Sequence, residues 1–188
     1  MVELLASIIV IVAIGSIVIG MISSSLRGTN KTNTIENIRQ NGDHALAQIA
    51  KDIEYALPFD GINTGLSNDN GATYVSSCPF DSVNPTPAPV VSNYILISLQ
   101  SGSNFIKYRC YYSSDSSSEL SANGISLIDK TSVLLKSCSF SCTQTRVTDV
   151  PIIKISFTLG PIIQNGLVEN SNPPITFETS VTMRNYKE

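Results

Sequence analysis

The sequence predicts an α+β protein: a long N-terminal α-helix, apolar in its first half, packed by its C-terminal half on an antiparallel β-sheet. Three observations lead there. Residues 4–22 carry no charge. From Thr34 the apolar residues recur at steps of three and four. Beyond Pro58, turn-rich polar sequence alternates with short runs of β-branched and aromatic residues. The predicted divisions are an apolar helix over 1–28, an amphipathic continuation over 29–58, and a sheet domain with loops over 59–188.

The first element opens "MVELLASIIVIVAIGSIVIGM". At about 1.5 Å per residue, its uncharged run matches a bilayer's hydrocarbon core. A signal peptide needs a basic leading region and a small-residue cleavage site, and neither is visible. Arg27, Lys31 and Arg39 follow the run and by themselves favour an inward C-terminal side. The cysteines and the Ser-, Thr- and Asn-rich remainder place that side outside. A basic leader removed before or at Met1 reconciles the two. Gly15 and Gly20 each weaken the helix by about 1 kcal/mol relative to Ala. Ser23, Ser24 and Ser25 compete for the backbone. The glycines either let helices approach closely or mark a site of local melting.

The second element places Ile35, Ile38, Gly42, Ala45, Ile49, Ile53 and Ala56 on one stripe, with Arg39, Asp43, Lys51 and Glu54 mostly off it. That period demands a core to pack against. Pro58 after Leu57 ends the helix. Residues 58–74 and 78–91 are rich in Gly, Asn, Asp and Pro and read as loops. "YILISLQ" and "NFIKYRCYY" flank "SGS" and read as a β-hairpin, "DSSSELSANG" as a polar loop. "SVLLKSCSFSC", "IIKISFTLG" and "ITFETSVTMRN" supply further strands.

Of the 188 residues, 14% are charged and the net charge is −3, with a pI near 5.1. Bulk nucleic-acid binding through a basic face is therefore not expected, while a local basic patch stays open. Four cysteines, Cys78, Cys110, Cys138 and Cys142, are an even set in a non-cytosolic context and predict two disulfides. Three connectivities are open. The closeness of Cys138 to Cys142 favours at least one bridge from that region to Cys78 or Cys110. A zinc site does not fit these spacings, and the one histidine, His44, lies far upstream. No phosphate loop or nucleophile elbow is present, and no enzyme activity or cofactor is expected. His44 has no catalytic partner, since the adjacent Asp43 does not share its helix face. Asp60, Asp69 and Asp81 lack the ligand alternation of a calcium loop. A binding surface, if there is one, has residues 63–70 and 113–123 as its leading candidates; the alternative is that these are solubilising loops alone.

Glu3 stands at the edge of the apolar run with no cation near it in sequence. A charge at the centre of a membrane helix costs on the order of 2.5–3.5 kcal/mol, less near the edge. Headgroup solvation is one answer. Another comes from a resemblance. "MVELLASIIVIVAIGSIVIG" resembles the N-terminal segment of type IV pilins and type II secretion pseudopilins, with Met1 in place of the pattern's first leucine. "TSVTMRN" near the end is similar to the last strand of pilin-like and J-type pseudopilin sequences.

The resemblance implies the pilin fold. It also implies a leader cut by a prepilin peptidase, an N-methylated mature terminus and two mature residues ahead of Met1. In the family the glutamate meets the N-terminal amine of a neighbouring subunit, and here Glu3 matches it. Glu3, Leu4, Leu5, Gly15 and Gly20 are then assembly residues. The implied partners are further copies joined through their N-terminal helices, the inner membrane before assembly, and the pilus assembly machinery. The implied location is the bacterial cell surface. A minor pilin, a secretion pseudopilin and a membrane-anchored binding protein or enzyme are the alternatives.

Overall fold

The computed structural model describes residues 2–57, 59–63, 74, 78, 90–99, 105–113, 118–144, 146, 149–162 and 173–184. The side chains at 2, 3, 5, 6, 59 and 90 lie outside that description. The chain divides into two compact units, 1–36 and 37–188.

Helix α1 is Val2–Tyr55, 54 residues. It runs unbroken through Gly15, Gly20 and the serine triplet. Polar side chains that could compete with the helix bond instead to carbonyls one turn back. Ser16 donates to the Ala13 carbonyl at 2.8 Å, Thr29 to Ser25 at 3.0 Å, Thr32 to Gly28 at 3.1 Å and Thr34 to Asn30 at 3.0 Å. The helix stops at Tyr55, just ahead of Pro58, which itself lies outside the described residues.

In the unit 37–188, the α1 stripe is the core side of the helix. Ile38, Ala45, Ile49 and Ile53 are fully buried, with Ala56 just past the helix end, and Gly42 is buried between them. Among the described residues nine strands follow: β1 (Phe59–Asn63), β2 (Val90–Ser92), β3 (Tyr94–Ser98), β4 (Phe105–Tyr111), β5 (Glu119–Ala122), β6 (Ile125–Ser126), β7 (Val133–Thr143), β8 (Ile152–Pro161) and β9 (Ile175–Thr182). They form two antiparallel sheets where the sequence suggested one. Sheet 1 has the order β1-β3-β4-β5-β6 and sheet 2 the order β2-β7-β8-β9. The chain changes sheet at Asn93, between β2 and β3. There the Ser92 hydroxyl donates to the Tyr94 carbonyl at 2.8 Å, and the Cys110 amide to the Asn93 carbonyl at 2.8 Å. A strand pair bent between two sheets is a common way to turn a corner.

The β3–β4 hairpin and the strands β7, β8 and β9 fall where the sequence places them. Three regions expected as loops contain strands. β1 is disguised by Gly61, which has φ 130° and sits in a register shift between Phe59 and Gly61, yet Ile62 reaches the core. β2 is too short for alternation to show, and its pairing with residues 140–142 of β7 defines it. β5 lies inside the stretch expected as a polar loop. It pairs with β4, and Asn123–Gly124, with φ of 50° and 80°, turn it directly into β6. That dipeptide is the strongest short hairpin signal.

Candidate assembly helix and cystine-linked domain

Within unit 1–36 the described apolar side chains are exposed from Leu4 through Leu26, Ile8 to Val12, Ile17 to Ile19 and Met21 among them. The helix is long and apolar enough to cross a membrane, and among the described residues its apolar window is exposed. Residues 4–22 span about 28 Å at the helical rise, close to a bilayer's hydrocarbon thickness. Leu4 is exposed. Glu3 and Leu5 lie on α1 by backbone, and their side chains fall outside the described residues. A Cβ at Gly15 or Gly20 would meet nothing within 4 Å, so no contact inside this chain requires glycine there. A helix apolar all round has no side suited to water, and must be covered by lipid, detergent or other helices.

The unit 37–188 is held to its part of α1 by polar ties as well as by the core. The buried Tyr108 hydroxyl of β4 donates to Asp52 at 2.5 Å. Burial first, then that bond and the carboxylate charge, push the phenol pKa up. The Arg184 amide donates to the Glu54 carbonyl at 2.9 Å, while its guanidinium meets the Glu54 carboxylate at 2.6 Å. The Asp129 amide donates to the Asn41 side chain at 2.9 Å. The Asp129 carboxylate accepts from Ser132 and Thr131, which hold its pKa below the usual range. None of these tying residues carries a sequence signature; only folding brings each to its partner.

All four cysteines are paired: Cys78 with Cys142 and Cys110 with Cys138, each with Cα atoms 5.5 Å apart. Both bridges end on β7, so both connect the Cys138–Cys142 region to an earlier cysteine, as the spacing favoured. Cys110–Cys138 crosses from β4 in sheet 1 to β7 in sheet 2. The Cys78 amide donates to the buried Gln144 side chain at 3.2 Å, just past β7.

The candidate binding loops are only partly exposed among the described residues. Asn63 is buried in β1, and 64–70 lie outside the described residues. Within 113–123, Leu120 and Ser121 are buried strand residues, and Glu119 pairs with Arg109 at 2.7 Å. The reason is the β4–β5 pairing, which takes that stretch into sheet 1, where Leu120 and Ser121 are buried on its two faces. Residues 114–117 lie outside the described residues. His44 is exposed on α1. Asp60 is half-buried, its Oδ2 buried without a hydrogen-bond partner, and burial raises its pKa. Asp69 and Asp81 lie outside the described residues. Among the described residues no group of three or more His, Cys, Asp or Glu is placed to hold a metal ion.

Fold and helix together define an α+β protein with an apolar N-terminal helix of membrane length and a disulfide-linked antiparallel domain. In comparisons with known proteins, no family model, curated protein or solved structure matches the chain.

Proposed function

We propose that this chain is a structural subunit of an extracellular helical filament of the type IV pilus kind, with the pilin fold, polymerised through its N-terminal helix and anchored in the inner membrane before assembly. The observation that carries the reading is the exposed, uncharged helix of residues 4–22 with Glu3 at its edge. A plain anchor gains nothing from a carboxylate there. A polymer gains a partner for it, the N-terminal ammonium of the next subunit, and that pairing sets the axial register. Leaving the bilayer, the helix buries its sides against neighbouring copies. Each Leu or Ile so buried contributes roughly 1.5–3 kcal/mol, enough in sum to hold a polymer without covalent links.

The test is Glu3→Ala in the cell of origin. The variant inserts in the membrane at the normal level and yields few or no surface filaments. Filaments in normal number from that variant, counted by electron microscopy with the subunit identified by mass spectrometry, would overturn the reading.

A further inference from the structure

Four strands form the ends of the two sheets: β1 and β6 in sheet 1, β2 and β9 in sheet 2. A strand at an edge offers unpaired backbone groups to any other strand, and proteins usually blunt such edges. Three of these four are blunt. β1 is broken by its register shift, β6 has two residues and β2 has three. β9 is different. It runs eight residues, pairs with β8 one-to-one along its whole length and contains no proline. Among the described residues, no strand pairs with its other side. Its single charge, Glu178, is met at 3.1 Å by Lys154 of β8 in its own sheet, which weakens the one guard the edge has.

We propose that β9 pairs antiparallel with β9 of a second copy of this chain, about a two-fold axis at Thr179. The register follows from the side chains. Phe177 is buried and Ile175, Thr179 and Val181 are half-buried, whereas Thr176, Glu178, Ser180 and Thr182 are exposed. Opposed residues of an antiparallel pair point to the same face. A continuous sheet therefore needs odd-numbered residues to meet odd and even to meet even. Two registers of that kind engage nearly the whole strand. One sets Glu178 against Glu178 of the second copy, and like charges directly opposed are destabilising. The other centres on Thr179. It sets Phe177 against Val181, an aromatic beside a β-branched residue, and Glu178 against Ser180, spanning 176–182 of both copies. β9 thus complements itself in chemistry and in charge, and an isologous contact of this kind closes as a dimer. In a filament held by its helices, it would join neighbouring filaments side by side.

The experiment uses the full chain in detergent micelles with both cystines intact. Under mild oxidation, Thr179→Cys gives a covalent dimer. Thr182→Cys gives about tenfold less, because its two copies lie roughly 20 Å apart in this register. In the Thr179→Cys background, Ser180→Glu opposes Glu178 twice across the axis and lowers the dimer about tenfold, while Ser180→Lys keeps it. Where Thr179→Cys does not fold, mixed Thr176→Cys and Thr182→Cys chains cross-link to each other more than to themselves. Equal cross-linking at 179 and 182, as association through the apolar helix alone would give, overturns the proposal. So does a monomer, or a dimer indifferent to the charge at 180. Glu3→Ala leaves the pattern unchanged, which separates this contact from the filament reading.

Discussion

Gly42 leaves no room for a side chain. A Cβ built there falls 2.2 Å from the ring tip of Phe177, and that ring is stacked on Phe157 with centroids 5.4 Å apart, so it cannot swing aside freely. Gly42→Ala should therefore lower stability by about 1–3 kcal/mol, in spite of alanine's better helix propensity. Denaturant unfolding checks this, and Phe177→Leu in the same chain should recover part of the loss. Asp60 makes a pH-dependent case. Its folded pKa is raised by burial, so the folded state holds this proton more tightly than the unfolded chain does. The resulting cost is absent below the unfolded carboxylate pKa, grows as pH rises toward the folded one, and is complete above it. Asp60→Asn should accordingly raise Tm at pH 7, and the gain should close near about pH 3, where the wild-type carboxyl is itself protonated. A thermal melt at each pH decides it.

At the scale of elements, legibility in the sequence followed length and regularity. The α1 stripe from Ile38 to Ile53 is periodic over several turns, and it was plain. β8, with Ile153, Ile155, Phe157 and Leu159 turned inward, was plain for the same reason. β2 was not, because three residues cannot display a period, and what makes them a strand is the β7 backbone beside them. β5 was hidden by composition: Glu119 and Ser121 look like loop residues until Arg109 and the neighbouring strand are in place. The division into two sheets was not legible at all, since it depends on the change of direction at Asn93. The cystine between β4 and β7 is the covalent tie across that division. Replacing Cys110 and Cys138 together with serine should destabilise the domain by about 2–4 kcal/mol, read by denaturant unfolding without reductant.

For the whole molecule, the two units differ in what covers them. The unit 37–188 has its own core, with Tyr94, Tyr108, Phe140 and Phe157 among its fully buried side chains. In the unit 1–36 the described apolar side chains from Leu4 to Leu26 are exposed. A chain beginning at Thr29 should therefore be soluble without detergent, show a cooperative melt and form no filaments. Sedimentation and electron microscopy test this. Native-like filaments from that shortened chain would rule out a helix core for the polymer.

Because both cystines end on β7, the order of synthesis bears on how the chain reaches its final form. Cys78 and Cys110 are made before Cys138 and Cys142. Were the early two to join each other, Cys138 and Cys142 would be left as a pair. Four residues apart on one extended strand, their Cα atoms stand roughly 13 Å apart, about twice what a disulfide spans. That mispairing cannot be completed while β7 is a strand. A chain caught in it keeps two reactive thiols, and these are the groups through which exchange can undo the early error. The strand at the middle of the bridge network thus disfavours one of the two wrong pairings.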